Sequence, residues 1–133
     1  MAFKIAFSLG GYTNQPPTEQ VAVTASEAYA EGETLVLSSG KATKASGTTA
    51  PTHLAMQTKA AAASGNLYVH TIMPEYVYRT TFSADASALA EGAKVTLSSD
   101  GDSVTATTTN GVATIYRKLG SGASGTQVLV RFC

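Results

Sequence analysis

Charge is scarce in this sequence. Only 14% of its 133 residues are Asp, Glu, Lys or Arg, against roughly 25% in an average soluble domain. The nine basic and nine acidic residues cancel, and no block of like charge occurs. Phosphate backbones are held by clustered Lys and Arg, so nucleic acid is not an expected partner. Sulfur chemistry is scarcer still. The one cysteine, Cys133, is the last residue, so no internal disulfide can form and a free terminal thiol is expected. The opening, Met1 to Leu9, is apolar but lacks the basic start, long apolar centre and small-residue cleavage site of a signal peptide. No run approaches the ~20 apolar residues of a membrane helix. The expectation is a chain made in a cytoplasm and soluble until it finds a partner, with no membrane partner.

Recognisable catalytic and cofactor patterns are missing as well. His53 and His70 are the only histidines, and neither has Cys, His, Asp or Glu at metal-ligand spacing, so packing or surface roles are expected. Gly120-Ser121-Gly122-Ala123-Ser124-Gly125 has the G-x-G-x-x-G spacing of a dinucleotide turn. That turn must open a helix and be followed by an acidic residue about 20 positions on. Here a short strand follows and the sequence stops, so a flexible hairpin loop is expected. Asp100 and Asp102 flank Gly101, but Gly111 stands where a calcium loop carries its bidentate Glu. Glu31 and Glu91 each precede a turn glycine and read as solvated turn residues. No nucleophile elbow or P-loop occurs. No catalytic, cofactor-binding or metal residues are therefore expected, and the chain is not expected to be an enzyme.

What the sequence does have is a phrase said twice. Ala30-Glu31-Gly32-Glu33-Thr34-Leu35-Val36-Leu37-Ser38-Ser39 returns as Ala90-Glu91-Gly92-Ala93-Lys94-Val95-Thr96-Leu97-Ser98-Ser99. Each copy predicts a turn through Glu-Gly, a short strand with Leu35 and Leu37 (or Val95 and Leu97) facing the core, and a second turn at Ser-Ser-Gly or Ser-Asp-Gly.

Around these copies, period-two alternation predicts further strands. Phe3, Ile5, Phe7 and Leu9 define a first strand with one strongly apolar face. Residues 12–20, with Pro16-Pro17, lack periodicity and predict an extended linker. A strand on such an arm can pair with its own sheet or add to another protein's. Weak strands are predicted at Lys41 to Ala45 and Thr52 to Met56. Asn66 to Met73 reads as a fully buried strand. Tyr76, Tyr78, Thr80 and Phe82 share one side of the next, opposite Val77, Arg79 and Thr81. Ala25 to Ala30 allows one helical turn or a loop, and Gln57 to Ala63 predicts one short helix from its alanines. Asn110-Gly111 predicts a tight hairpin, and Gln127 to Phe132 the final strand. The expected fold class is all-β, a small barrel-like body with at most one or two short helices. An N-terminal strand or arm over residues 1–20 would precede a single domain over residues 21–133.

The run Ala30 to Ala45 followed by Thr52-His53-Leu54-Ala55-Met56, then Leu67 to Pro74, Tyr76 to Phe82 and Val128 to Phe132, resembles the head-decoration (cement) proteins of tailed phages. This resemblance implies a β-tulip body that sits as a homotrimer at threefold and quasi-threefold positions on the outer surface of an icosahedral virion. Its N-terminal arm would add to strands of the major capsid protein, with Phe3, Lys4, Ile5, Phe7, Leu9 and Tyr12 as the capsid contacts, bridging capsomers and stabilising the head. The alternative is a carbohydrate- or receptor-binding β-module of a phage fibre or spike, which requires Tyr12, Tyr68, Tyr76 and Tyr78 on one exposed patch.

Overall fold

A computed structural model describes residues 2–10 and 18–133. Among them are ten strands and no helix. In chain order the strands are β1 (Lys4–Ser8), β2 (Glu19–Val23), β3 (Thr34–Ser38), β4 (Lys41–Lys44), β5 (His53–Ala55), β6 (Asn66–Thr71), β7 (Tyr76–Thr81), β8 (Lys94–Val95), β9 (Ala113–Lys118) and β10 (Gln127–Arg131). They form an open sheet in the order β1-β7-β10-β9-β8 and a closed barrel in the order β2-β4-β3-β5-β6. The all-β expectation holds.

The barrel is small enough to be filled by one aromatic ring and aliphatic side chains. Its interior holds Val23, Tyr29, Leu35, Ala42, Ala55, Leu67 and Val69. The Tyr29 hydroxyl donates to the Ala42 carbonyl at 2.7 Å and accepts the Thr24 N–H at 2.8 Å, which satisfies the polar tip of a buried ring. The open sheet carries the larger core, with Tyr76, Tyr78 and Phe82 meeting Ile115, Val128, Val130 and Phe132. Ala45 and Leu54 of the barrel side belong to that core too. The barrel wall at Leu54 therefore faces a core on each side.

Both copies of the repeated phrase begin alike. Gly32 and Gly92 have φ of 89° and 94°, and each preceding turn closes with the same bond, Glu33 N–H to Ala30 C=O and Ala93 N–H to Ala90 C=O. The first copy ends in a two-residue hairpin turn at Ser39 and Gly40, with φ of 50° and 77°, the pair of positive values a type I′ turn needs. The second ends in a longer turn, closed by Gly101 N–H to Ser98 C=O at 3.0 Å and Ser98 N–H to Ser103 C=O at 2.9 Å. That second turn docks on the first copy. The Gly101 carbonyl accepts both the N–H and the hydroxyl of Thr34, each at 2.9 Å. The copies diverge at the position meant for the core: Leu97 is buried, whereas Leu37, near the barrel rim, is 42% exposed.

Four other expectations are corrected. Gln57 to Ala63 forms no helix, because Lys59 exchanges two 2.9 Å backbone bonds with Tyr29 and a helix this short is marginal alone. β6 is not buried on both faces, since Tyr68 is 48% exposed. Asn110-Gly111 is not a tight hairpin turn between paired flanks. Thr96 bonds to Thr105 and Thr107 through one edge, while the Val95 carbonyl accepts from Val112 through the other, so the flanks bracket β8 from opposite sides. Gly111 has a different reason to be glycine: a Cβ there would lie 2.5–2.6 Å from backbone atoms of Lys94 and Val95. Finally, the 120–125 loop connects β9 and β10 as a hairpin but is tied down, with Ala86 N–H to Gly122 C=O and Gly125 N–H to Phe82 C=O both at 2.8 Å.

The Gly101 contact yields a stability prediction. Gly101 has φ of +69°, and a Cβ there would sit 2.6 Å from the Ala45 carbonyl oxygen, whereas Gly125, at φ +88°, has open space. Gly125→Ala is expected to cost about 1 kcal/mol of left-handed strain, and Gly101→Ala roughly 3 kcal/mol once two Thr34 hydrogen bonds of about 1 kcal/mol each are lost with it. Urea unfolding measures both, and equal costs would remove the docking role assigned to this turn.

Candidate functional site

The sheet order leaves β1 at an edge, paired with β7 on one side. Beside it lies a groove of 590 Å³ lined by residues 2–8, Glu31, Gly32, residues 54–56 and Tyr76. An edge strand carries unpaired backbone donors and acceptors and is a template for another strand. The first turn of the repeated phrase anchors its start. The Phe3 N–H donates to the Gly32 carbonyl at 3.0 Å, and a Cβ on Gly32 would collide with Ala2 Cβ and lie 2.8 Å from the Phe3 carbonyl oxygen. Only glycine lets the chain pass here.

A β-bulge then divides the N-terminal apolar residues between two faces. Ile5 pairs with Tyr78 but Phe7 pairs with Val77, so two steps along β1 match one along β7. The extra residue shifts the side-chain alternation. Phe3 is buried at 2% exposure, 5.3 Å from the Phe132 ring, and Ile5 packs on the same core. Phe7 and Leu9 are instead 41% and 44% exposed, with the Phe7 ring edge-on to Tyr116 at 5.8 Å. The single apolar face expected for this strand is thus corrected. Lys4 is exposed across from Arg79, and Tyr12 lies outside the described residues. Of the six expected contact residues, Lys4, Phe7 and Leu9 are at the surface, Ile5 is half-buried in the groove wall and Phe3 serves the core.

The rings continue inward from Phe3 through Phe132 to Tyr78, 5.2 Å on, and to His70 of the barrel wall. His70 is 1% exposed. Its Nε2 lies 2.7 Å from the Tyr78 hydroxyl, and its ring meets Tyr76 edge-on at 5.6 Å. Its Nδ1 is buried with no hydrogen-bond partner among the described residues. Burial holds the His70 imidazole below its usual pKa, nearby His53 adds to this and Glu19 opposes it. Burial likewise lowers His53, again against Glu19, and raises the Tyr78 phenol. His70 is thus packed between the barrel wall and the open sheet, whereas His53 is half-buried, with its Nδ1 2.8 Å from the Thr52 hydroxyl. Tyr76 and Tyr78 are buried, so the exposed tyrosine patch required by the carbohydrate-binding alternative is not formed.

Glu33 had no signal in the sequence beyond its place in the phrase. It is 8% exposed, with Oε1 3.6 Å from Lys44 Nζ and Oε2 without a hydrogen-bond partner among the described residues, and burial raises its carboxyl pKa. Glu31 stays in its turn, its N–H donating to the Thr58 hydroxyl at 3.2 Å, and Glu91 Oε2 accepts the Lys118 N–H at 3.3 Å. Asp100 and Asp102 sit in the turn after Leu97. Among the described residues no three His, Cys, Asp or Glu side chains are grouped to hold a metal ion. No protein-family model matches the chain, and no curated protein matches it.

Two predictions follow from this geometry. Gly32→Ala and Gly92→Ala share the same backbone strain, but nothing lies within 4 Å of a Cβ at Gly92. The first should cost about 1–2 kcal/mol more than the second and speed amide exchange in β1, and equal costs would deny that Gly32 anchors the strand. The second concerns pH. Both histidines are held neutral in the fold, while the unfolded chain takes up protons near the usual 6.5. Their contribution is complete above that pH and is lost as pH falls through 6.5 toward the lowered folded values. The thermal midpoint should therefore drop as pH falls below about 6.5, and His70→Gln should reduce that slope; an unchanged slope in the variant would clear His70 of the effect.

Proposed function

We propose that this chain is a structural protein of a tailed phage, binding the outer surface of the icosahedral head and stabilising it by bridging adjacent capsomers. The observation that carries the reading is the β1 edge beside its groove. An extended segment of the major capsid protein laid along this edge gains main-chain hydrogen bonds, while the groove formed with Leu54, Ala55 and Met56 receives its alternate side chains. The low charge of the chain agrees with large contacts to neighbours, because interface cores are depleted in charged residues. The resemblance to head-decoration proteins supplies the remaining elements: a homotrimer at threefold and quasi-threefold positions, made in the host cytoplasm and assembled onto the virion. Stabilisation is then additive, with many modest interfaces each favouring the intact shell.

Purified protein is expected to saturate expanded, undecorated heads at a fixed ratio to the capsid subunit, and to elute as a trimer at the concentrations used. Met56→Glu, which places a charge in the groove wall, should weaken binding by about tenfold or more, at least about 1.4 kcal/mol, with a cooperative unfolding transition retained. Failure to bind any such head overturns the proposal. Undiminished binding of the Met56 variant moves the contact away from the groove.

A further inference from the structure

The neutral chain segregates its charge. The five strands of the open sheet carry Lys4, Arg79, Lys94, Arg117, Lys118 and Arg131, six of the nine basic residues, and none of the nine acidic ones. Three of these form a row across the face turned away from the core. Lys4 pairs with Arg79, Arg79 with Leu129, and Leu129 with Arg117. Their neighbours Tyr78 and Val130 point into the core, so alternation turns the row outward. At about 4.8 Å between strands, the row crosses roughly 14 Å of sheet.

Lys4, Arg79 and Arg117 are all exposed. Among the described residues none of the three is paired with a carboxylate. Lys4 directly opposite Arg79 is a like-charge cross-strand pair, an arrangement that destabilises the free sheet. Beside the row lie Phe7, 41% exposed, and Tyr116, whose ring carries the Arg117 guanidinium 6.0 Å from its centroid. An apolar aromatic centre edged by arginines is the composition of a protein-recognition surface.

We propose that this face docks a carboxylate-rich segment of another protein, with Arg79 and Arg117 gripping carboxylates and Phe7 covered at the centre. Guanidinium forks match carboxylates two bonds at a time, and a bound carboxylate between Lys4 and Arg79 removes their repulsion. Nucleic acid fits less well: a chain of zero net charge offers no long-range attraction, and three cations neutralise few phosphates. The proposal stands independently of the virion reading.

The test is an amide-shift titration of the full chain with a peptide of about ten glutamates, an oligolysine of similar length and an oligothymidylate, at salt concentrations on either side of the physiological value, where the Debye length is about 8 Å. Oligoglutamate should shift amides of β1, β7, β9 and β10, weakening as salt rises, while oligolysine shifts none of them. Arg79→Glu with Arg117→Glu should abolish the shifts without loss of folding, since both side chains are exposed, and Arg79→Glu alone should raise stability slightly by turning the Lys4 pair attractive. Shifts that persist in the double variant, no shifts on this face, or tighter binding of oligothymidylate would each overturn the proposal.

Discussion

The fold depends on one wall that serves two cores. In β5 and β6, Ala55, Leu67 and Val69 point into the barrel, while Leu54 and His70 point out of it toward Tyr76 and Tyr78 of the open sheet. Strand alternation makes this possible, since successive side chains leave opposite faces. It also makes the register unforgiving: a slip of one residue would send His70 into the barrel and Val69 into the aromatic cluster. A wall shared by two cores has little room for charge, and neither strand contains an acidic, Lys or Arg residue.

The second organising contact joins the two copies of the repeated phrase. Thr34 opens the strand of the first copy, and the Gly101 turn that closes the second sits on it. Similar local sequence therefore does not mean similar environment. Gly32 and Gly92 make the same turn, yet only Gly32 is crossed by the N-terminal segment. Leu97 faces the large core, yet Leu37 reaches the rim of a barrel already filled by Tyr29 and Leu35. The phrase is one corner used twice, and the two uses hold each other in place.

The N-terminal strand gains its character from a single extra residue. The bulge between Ile5 and Phe7 commits Phe3 and Ile5 to the core and presents Phe7 to solvent. The same strand can thus be fixed to its own sheet and offer an edge and an outer face to a partner. Strand-edge recognition needs this combination, because a template that was itself loose would have to be ordered on binding.

Much of the fold was legible because strands declare themselves by alternation and turns by glycine. The strand segments over residues 3–9, 41–45, 52–56, 76–82 and 127–132 all appear, as does the hairpin turn at Ser39-Gly40. Three of the errors share one cause: in each a local rule was overruled by a partner distant in sequence. The alanine-rich segment lost its helix to hydrogen bonds with Tyr29, and Asn110-Gly111 lost its hairpin to β8, which draws the flanking segments to its two edges. The site was only half legible. Apolar side chains at residues 3–9 could be read from the sequence, but a bulge cannot, because it is defined by which residue of β7 stands opposite. By itself, the sequence determined the all-β class, the turn positions and the scarcity of charge, all set by residue type and short-range geometry. The tertiary structure alone decided which strand closes the barrel, which apolar residues are left outside, and that the basic residues line up on one face, because each depends on register between strands far apart in the chain.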